Sequence, residues 1–359
     1  MVRSHRLVLV LALLSACSGD DAESAGSSTS TGTTGAPTTS GGTSTTSGAS
    51  TTTGTATESG TTAGSASSGT ESDTSTGTSD GTTTGGIGCE GLPAGPFTPE
   101  VVTDVFGGSE DLAFDGLGYL AAKAGDAVLL VDAALSPTTL ATPVPKAYGL
   151  RFMVGGDLAV ALPDDGKILR ITRLGVITDL ATGLGGPNGL FPGLDGSLWV
   201  TEFAGARVSR IRPDLTTEII VQGAEATAAN GIVHDIVRQR LFFTNYASGR
   251  IASVDVPEGG TPGTPIEVVT LQGRPDGLAL DACGHLYAVD QQNSRLYRIW
   301  LDPAGVALGE PELLADHPTN VANAQFGRGV GFDPLSIYTA GNPGVIYRIP
   351  VGVAGAAIP

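Results

Sequence analysis

From about residue 90 onward the chain alternates short apolar runs with Gly-, Pro- and Asp-rich punctuation, and it shows almost no helical period. Such runs, bounded by turn residues, predict an all-β domain. The pattern also repeats itself. A polar or acidic residue, often followed by Gly, opens a short apolar strand. A tight turn follows, then a second strand beginning with Leu and an aromatic, a loop, and a basic residue opening a third strand. The fifth copy reads Asp276-Gly277-Leu278-Ala279-Leu280, then Leu286-Tyr287-Ala288-Val289, then Arg295-Leu296-Tyr297-Arg298. The third reads Asn188-Gly189-Leu190, Leu198-Trp199-Val200, Arg207-Val208. The others open on Glu110-Asp111-Leu112, Tyr148-Gly149-Leu150, Asn230-Gly231-Ile232 and, for the sixth, Arg328-Gly329-Val330.

The leading residues Glu110, Tyr148, Asn188, Asn230, Asp276 and Arg328 stand 38, 40, 42, 46 and 52 positions apart. A four-stranded propeller blade takes about 40 to 50 residues, so six copies predict a six-bladed β-propeller over residues 89–359. One blade cannot bury both of its faces, and a closed ring supplies the missing contacts. The run Val101 to Phe106 precedes the first copy and is expected to pair with the last blade and close the ring. A sandwich would not need this repeat, and a parallel β-helix would have a shorter one.

The first 88 residues read differently. Arg3 and Arg6 precede an apolar run, Leu7 to Leu14, which is too short to span a bilayer and fits a removed export signal. The run ends Leu14-Ser15-Ala16-Cys17, which resembles the lipobox of bacterial lipoproteins. That resemblance implies a signal peptide over 1–16, lipidation of Cys17, and a protein exported to the cell envelope and held to a membrane by its lipid. Residues 17–88 are almost only Ser, Thr, Gly and Ala with scattered acids. They cannot bury enough surface to offset chain entropy and are read as a disordered tether, reaching on the order of 50 Å.

The formal net charge is −17. Seven acids of the tether account for −7, which leaves −10 on the remainder, Arg3 and Arg6 included. Nothing here offers the basic patch of a nucleic-acid binder. With Cys17 assigned to lipid, Cys89 and Cys283 remain. In an oxidising compartment they either form a disulfide or stay as two thiols.

In a propeller the first strand of each blade lines the central channel, so the six leading residues are expected at one mouth. Four of them, Glu110, Asn188, Asn230 and Asp276, carry oxygen ligands. Two carboxylates held together repel unless a cation lies between them. Oxygen donors suit Ca²⁺ best, with Mg²⁺ or Mn²⁺ as alternatives. Zn²⁺ is possible but disfavoured by the absence of His and Cys from the set. Each Asn-Gly or Asp-Gly could instead simply make a turn. His234 and His285 are expected at the surface, and His317 either at the surface or within reach of the mouth.

The segments Ser109-Glu110-Asp111-Leu112-Ala113-Phe114-Asp115, Gly186-Pro187-Asn188-Gly189-Leu190, Ala229-Asn230-Gly231-Ile232 and Arg274-Pro275-Asp276-Gly277-Leu278-Ala279-Leu280-Asp281 resemble the gluconolactonase, senescence-marker-protein and luciferin-regenerating-enzyme family of six-bladed propellers. The resemblance spans about residues 105–350. It implies a divalent metal held by Glu110, Asn230 and Asp276, with Asn188 on metal or substrate. It further implies hydrolysis of a lactone or related ester, with Asp276 as general base. Arg328 would either stabilise developing negative charge or pair with Glu110 or Asp111, and Tyr148 would line the substrate mouth or pack in the channel. Sugar-lactonase members carry Arg two positions before the Asn, where this chain has Gly186, so the resemblance leaves sugar specificity open while it keeps the metal set. The alternative function is a non-catalytic, surface-displayed binding module with a structural cation.

Overall fold

The computed structural model describes residues 88–359, which form six four-stranded antiparallel sheets. The lipobox, Cys17 and nearly all of the tether lie outside the described residues. No helix among the described residues is long and apolar enough to cross a membrane. Five blades are built from four consecutive strands each. Their innermost strands are Leu112–Phe114, Leu150–Phe152, Pro187–Pro192, Ala229–Asp235 and Pro275–Leu280. The sixth blade uses Asn323–Phe326, Ser336–Ala340 and Ile346–Pro350, and takes its outer strand, Glu100–Thr103, from the start of the domain. Ring closure is as expected, over a shorter stretch: Val101 faces Tyr347, and Glu100 faces Arg348 and pairs with it.

The alternation in the sequence has a direct structural cause. Second strands such as Leu198–Glu202 and Leu286–Asp290 are buried along their whole length, because both sheet faces meet a neighbouring blade. The core therefore lies between blades. Leu190, Leu198 and Val200 of the third blade meet Ala159, Ala161 and Ile168 of the second. Phe242 and Phe243, fully buried, belong to the layer shared by the third, fourth and fifth.

Glycine after the leading residue serves this inter-blade contact more than it serves a turn. A methyl group added at Gly149, Gly189 or Gly231 would overlap the carbonyl oxygen of Asn188, Asn230 or Asp276, respectively, on the next blade. The inner strands of the second to fifth blades thus touch main chain to main chain.

The segment between Cys89 and Pro99 straps the outer edge of the fifth blade. Phe97 donates its N–H to the Leu314 carbonyl at 2.6 Å. Gly95 N–H donates to Glu312 at 3.0 Å, and Arg298 donates to the Pro93 carbonyl at 2.9 Å. The structure joins Cys89 and Cys283 in a disulfide with a Cα–Cα distance of 5.5 Å. Cys283 sits in the turn between the first two strands of the fifth blade.

Four sequence expectations need correction. In the sixth blade, Asn323–Phe326 pairs with Ser336–Ala340 so that Ala324 faces Thr339, as Leu278 faces Ala288 in the fifth. The residue equivalent to Asp276 is therefore Ala322, 46 positions on (322 − 276), not Arg328. Arg328-Gly329 imitates the motif but belongs to the following turn, where Gly329 has φ +87° and packs on the backbone of Gly116 and Gly118. Arg328 lies at the far end of the channel and donates to the Ile358 carbonyl. His285 is buried against Trp300, with Nδ1 accepting the Leu301 N–H at 3.2 Å. His234 is half-buried against Trp199. His317 is buried between Ser294 and Thr339 and is not among the residues lining the candidate cavity.

Candidate functional site

Glu110, Tyr148, Asn188, Asn230 and Asp276 line one cavity of about 340 Å³. Five blades each deliver the residue that leads the inner strand. At Asn188, Asn230 and Asp276 a register shift interrupts the pairing with the second strand, between Pro187 and Leu190, Ala229 and Ile232, and Pro275 and Leu278. A bulge of this kind lets the ladder stop and re-aims one side chain out of the sheet.

Two threonines hold the bulges in register. Thr244 accepts the Gly231 N–H at 2.7 Å and donates to the Asp276 carbonyl at 2.9 Å. Thr201 accepts the Gly189 N–H at 2.8 Å and donates to the Asn230 carbonyl. Each hydroxyl ties its own blade to the leading residue of the next.

The side chains themselves are left free. Among the described residues, neither Glu110 nor Asp276 forms an ion pair, and the Asn188 and Asn230 amides have no protein hydrogen-bond partner. Asn230 and Asp276 are each only 5 % exposed. Burial, then the neighbouring charges of Glu110 and Asp111, push the Asp276 carboxyl well above its ordinary range. Burial also raises Glu110 to about 7, against the pull of Lys123. The Tyr148 hydroxyl is raised as well, by burial and then by Glu110. Two carboxylates and two amides converge here, and among the described residues no cationic side chain pairs with either carboxylate.

That donor set fits a hard divalent cation. Among the described residues no group of three His, Cys, Asp or Glu could hold a metal, so a cation here would need the asparagine oxygens as well. Beneath the cavity, Asp111 is buried and paired with Arg151 at 2.6 Å. Its charge is thereby taken up in the channel and is not offered to the mouth.

The wall contains residues the sequence reading missed. Pro163, Phe203, Tyr246 and Gln291 line the same cavity. Each directly follows the second strand of its blade, after Leu162, Glu202, Asn245 and Asp290. Aligning the ends of the second strands would have found them. Phe203 and Tyr246 meet edge to face at 5.9 Å, and the Tyr246 hydroxyl donates to Gln291 at 2.5 Å. The buried residues just before them brace the rim: Asp290 accepts the Arg274 N–H at 2.9 Å, and Asn245 donates to the Glu225 carbonyl at 2.9 Å. Gly186, with φ +69° and a methyl group there set to press on Ala204, leaves the wall beside Asn188 without a side chain.

A ring-closed propeller with an oxygen-lined pocket at one mouth defines the fold class, and it is that of the gluconolactonase-like six-bladed propellers. The gluconolactonase XC5397 from Xanthomonas campestris is similar over 72 % of this chain and 98 % of its own, with TM-score 0.59 and 18 % identity. A luciferin-regenerating enzyme matches over 74 % and 98 %, with TM-score 0.60 and 16 % identity. The calcium-binding protein regucalcin from Agrobacterium tumefaciens matches over 74 % and 97 %, with TM-score 0.58 and 16 % identity. At these identities the likeness is one of fold. No protein-family model and no curated protein matches the sequence.

Proposed function

We propose that this propeller is a metal-dependent hydrolase of lactones or related esters. The observation that carries the reading is the convergence of Glu110, Asn188, Asn230 and Asp276 on one cavity with their side chains unsatisfied by protein. The fold shared with a gluconolactonase supports it, and the fold shared with a calcium-binding regucalcin favours Ca²⁺ over Mg²⁺, Mn²⁺ or Zn²⁺.

Glu110, Asn230 and Asp276 would hold the cation, and Asn188 would contact the cation or the substrate. When bound, the cation supplies polarisation of the substrate carbonyl and a more acidic water. Glu110 and Asp276 would serve as its ligands in their ionised form. Asp276 takes the proton of the attacking water as the water oxygen bonds to the carbonyl carbon, the ring C–O bond breaks, and Asp276 returns the proton to the departing alkoxide to give the ring-opened hydroxy acid. Asn188 orients the substrate oxygen through its amide. Tyr148, Phe203 and Tyr246 form the walls that position an apolar or cyclic substrate. Gly186 leaves space where a charged side chain would have selected a sugar.

The chain is exported and anchored by lipid on Cys17 in this reading. The Cys89–Cys283 disulfide supports it, since such bonds persist in oxidising compartments.

The test is a lactone panel assayed with added Ca²⁺ or Mn²⁺, with Asp276→Ala as control. Cation-dependent ring opening that disappears in the variant is expected. Cation-dependent melting without turnover of any lactone would replace the hydrolase with a binding module that carries a structural ion.

A further inference from the structure

The inner strands start at the candidate site and run away from it. The turn joining the first and second strands of a blade, and the turn joining the third and fourth, therefore both lie on the opposite face. That face carries aliphatic side chains where turns are ordinarily polar. Leu117 is 63 % exposed, Val154 53 %, Leu194 65 %, Val237 94 % and Val330 77 %. They occupy the first-to-second turn of the first, second, third, fourth and sixth blades. Leu174, in a third-to-fourth turn, is 93 % exposed. Single exposed aliphatics need no explanation, but a crown drawn from five of the six blades on one face does. Inside the crown the channel opens into an apolar cavity of about 170 Å³, lined by Phe191, Leu280 and Phe326 and by the C-terminal segment 354–358.

The fifth blade completes the crown differently. Its first-to-second turn holds Cys283, joined to Cys89. The segment that precedes the domain therefore enters at this same rim. On the lipid-anchor reading, the 70 residues between Cys17 and Gly88 therefore join the anchor to the domain at this face.

We propose that the face opposite the candidate site docks on the surface of a zwitterionic lipid membrane, holding the catalytic mouth outward. The inference rests on the lipid-anchor reading. Charge on this face argues for apolar insertion over attraction to anionic lipid. Its arginines are neutralised locally: Arg210 pairs with Asp195 at 2.6 Å, Arg240 with Asp255 at 2.7 Å, and Arg170 with Asp157. Arg328 is the exception, half-buried at the end of the channel and without a carboxylate partner among the described residues.

The test uses the full lipidated chain in phosphatidylcholine–phosphatidylethanolamine vesicles containing brominated acyl chains. Two tryptophan probes are compared, Val237→Trp on the crown and Val105→Trp on the site face. Flotation of both, with several-fold stronger quenching at position 237, is expected. Leu194→Asp with Val330→Asp, added to the Val237→Trp chain, should reduce that quenching while flotation persists. Flotation with equal or absent quenching at the two probes overturns the docking but leaves the anchor standing, and directs the crown to a protein partner. Failure of the native chain to float overturns the anchor and the docking together.

Discussion

Removing the Cys89–Cys283 disulfide should be the most costly change available outside the core. The bond links residues 194 positions apart, a loop that includes the strap, four whole blades and the first strand of the fifth. In the chain-entropy treatment, closing a loop of that length restricts the unfolded chain by about 5 kcal/mol at 25 °C. In the folded state little is lost, because the strap stays bound through Phe97, Gly95 and Arg298. The effect therefore falls on the unfolded chain. Guanidinium unfolding of the Cys89→Ser/Cys283→Ser variant should show a lower midpoint and a steeper dependence on denaturant, since an uncrosslinked chain exposes more surface. The melting temperature should fall by on the order of 10 °C. A loss below about 1 kcal/mol with an unchanged slope would refute the reasoning, and would mean that the strap's own contacts already do what the bond was credited with.

His317 should make stability fall with acid. Burial holds it at about 4, below the ordinary 6.5, so between those values the unfolded chain carries the extra proton. Stability gained at neutral pH is lost from pH 6.5 down to 4, by about 3 kcal/mol, and denaturant midpoints of His317→Asn should show a shallower slope in that window. Thr244→Val leaves the Gly231 N–H and the Asp276 carbonyl unpaired. It should cost about 2 kcal/mol and weaken calcium binding measured by calorimetry, while Thr244→Ser retains both. Gly231→Ala would press against the Asp276 carbonyl, and a loss of about 3 kcal/mol in chemical unfolding is expected.

The fold was legible because each blade must bury both faces with the same small set of residues, so the repeat survives in the sequence. The positions of Glu110, Tyr148, Asn188, Asn230 and Asp276 were legible for the same reason. The sixth blade misled because Ala322-Asn323-Ala324 lacks the marker glycine, while Arg328-Gly329 carries it in a turn. The aromatic wall was hidden because Phe203 and Tyr246 sit just past strand ends, where the repeat is read as loop. The role of Thr201 and Thr244 depends on hydrogen bonds between blades, which no pattern along one chain displays. The histidines were misjudged because their burial comes from Trp199, Trp300 and Tyr347.

The carbonyl-to-glycine packing between inner strands fixes the calibre of the mouth through backbone alone. Side chains at the leading positions are then passengers on a rigid hoop. New chemistry can be installed there by exchanging what points inward, with the diameter of the opening left as it was.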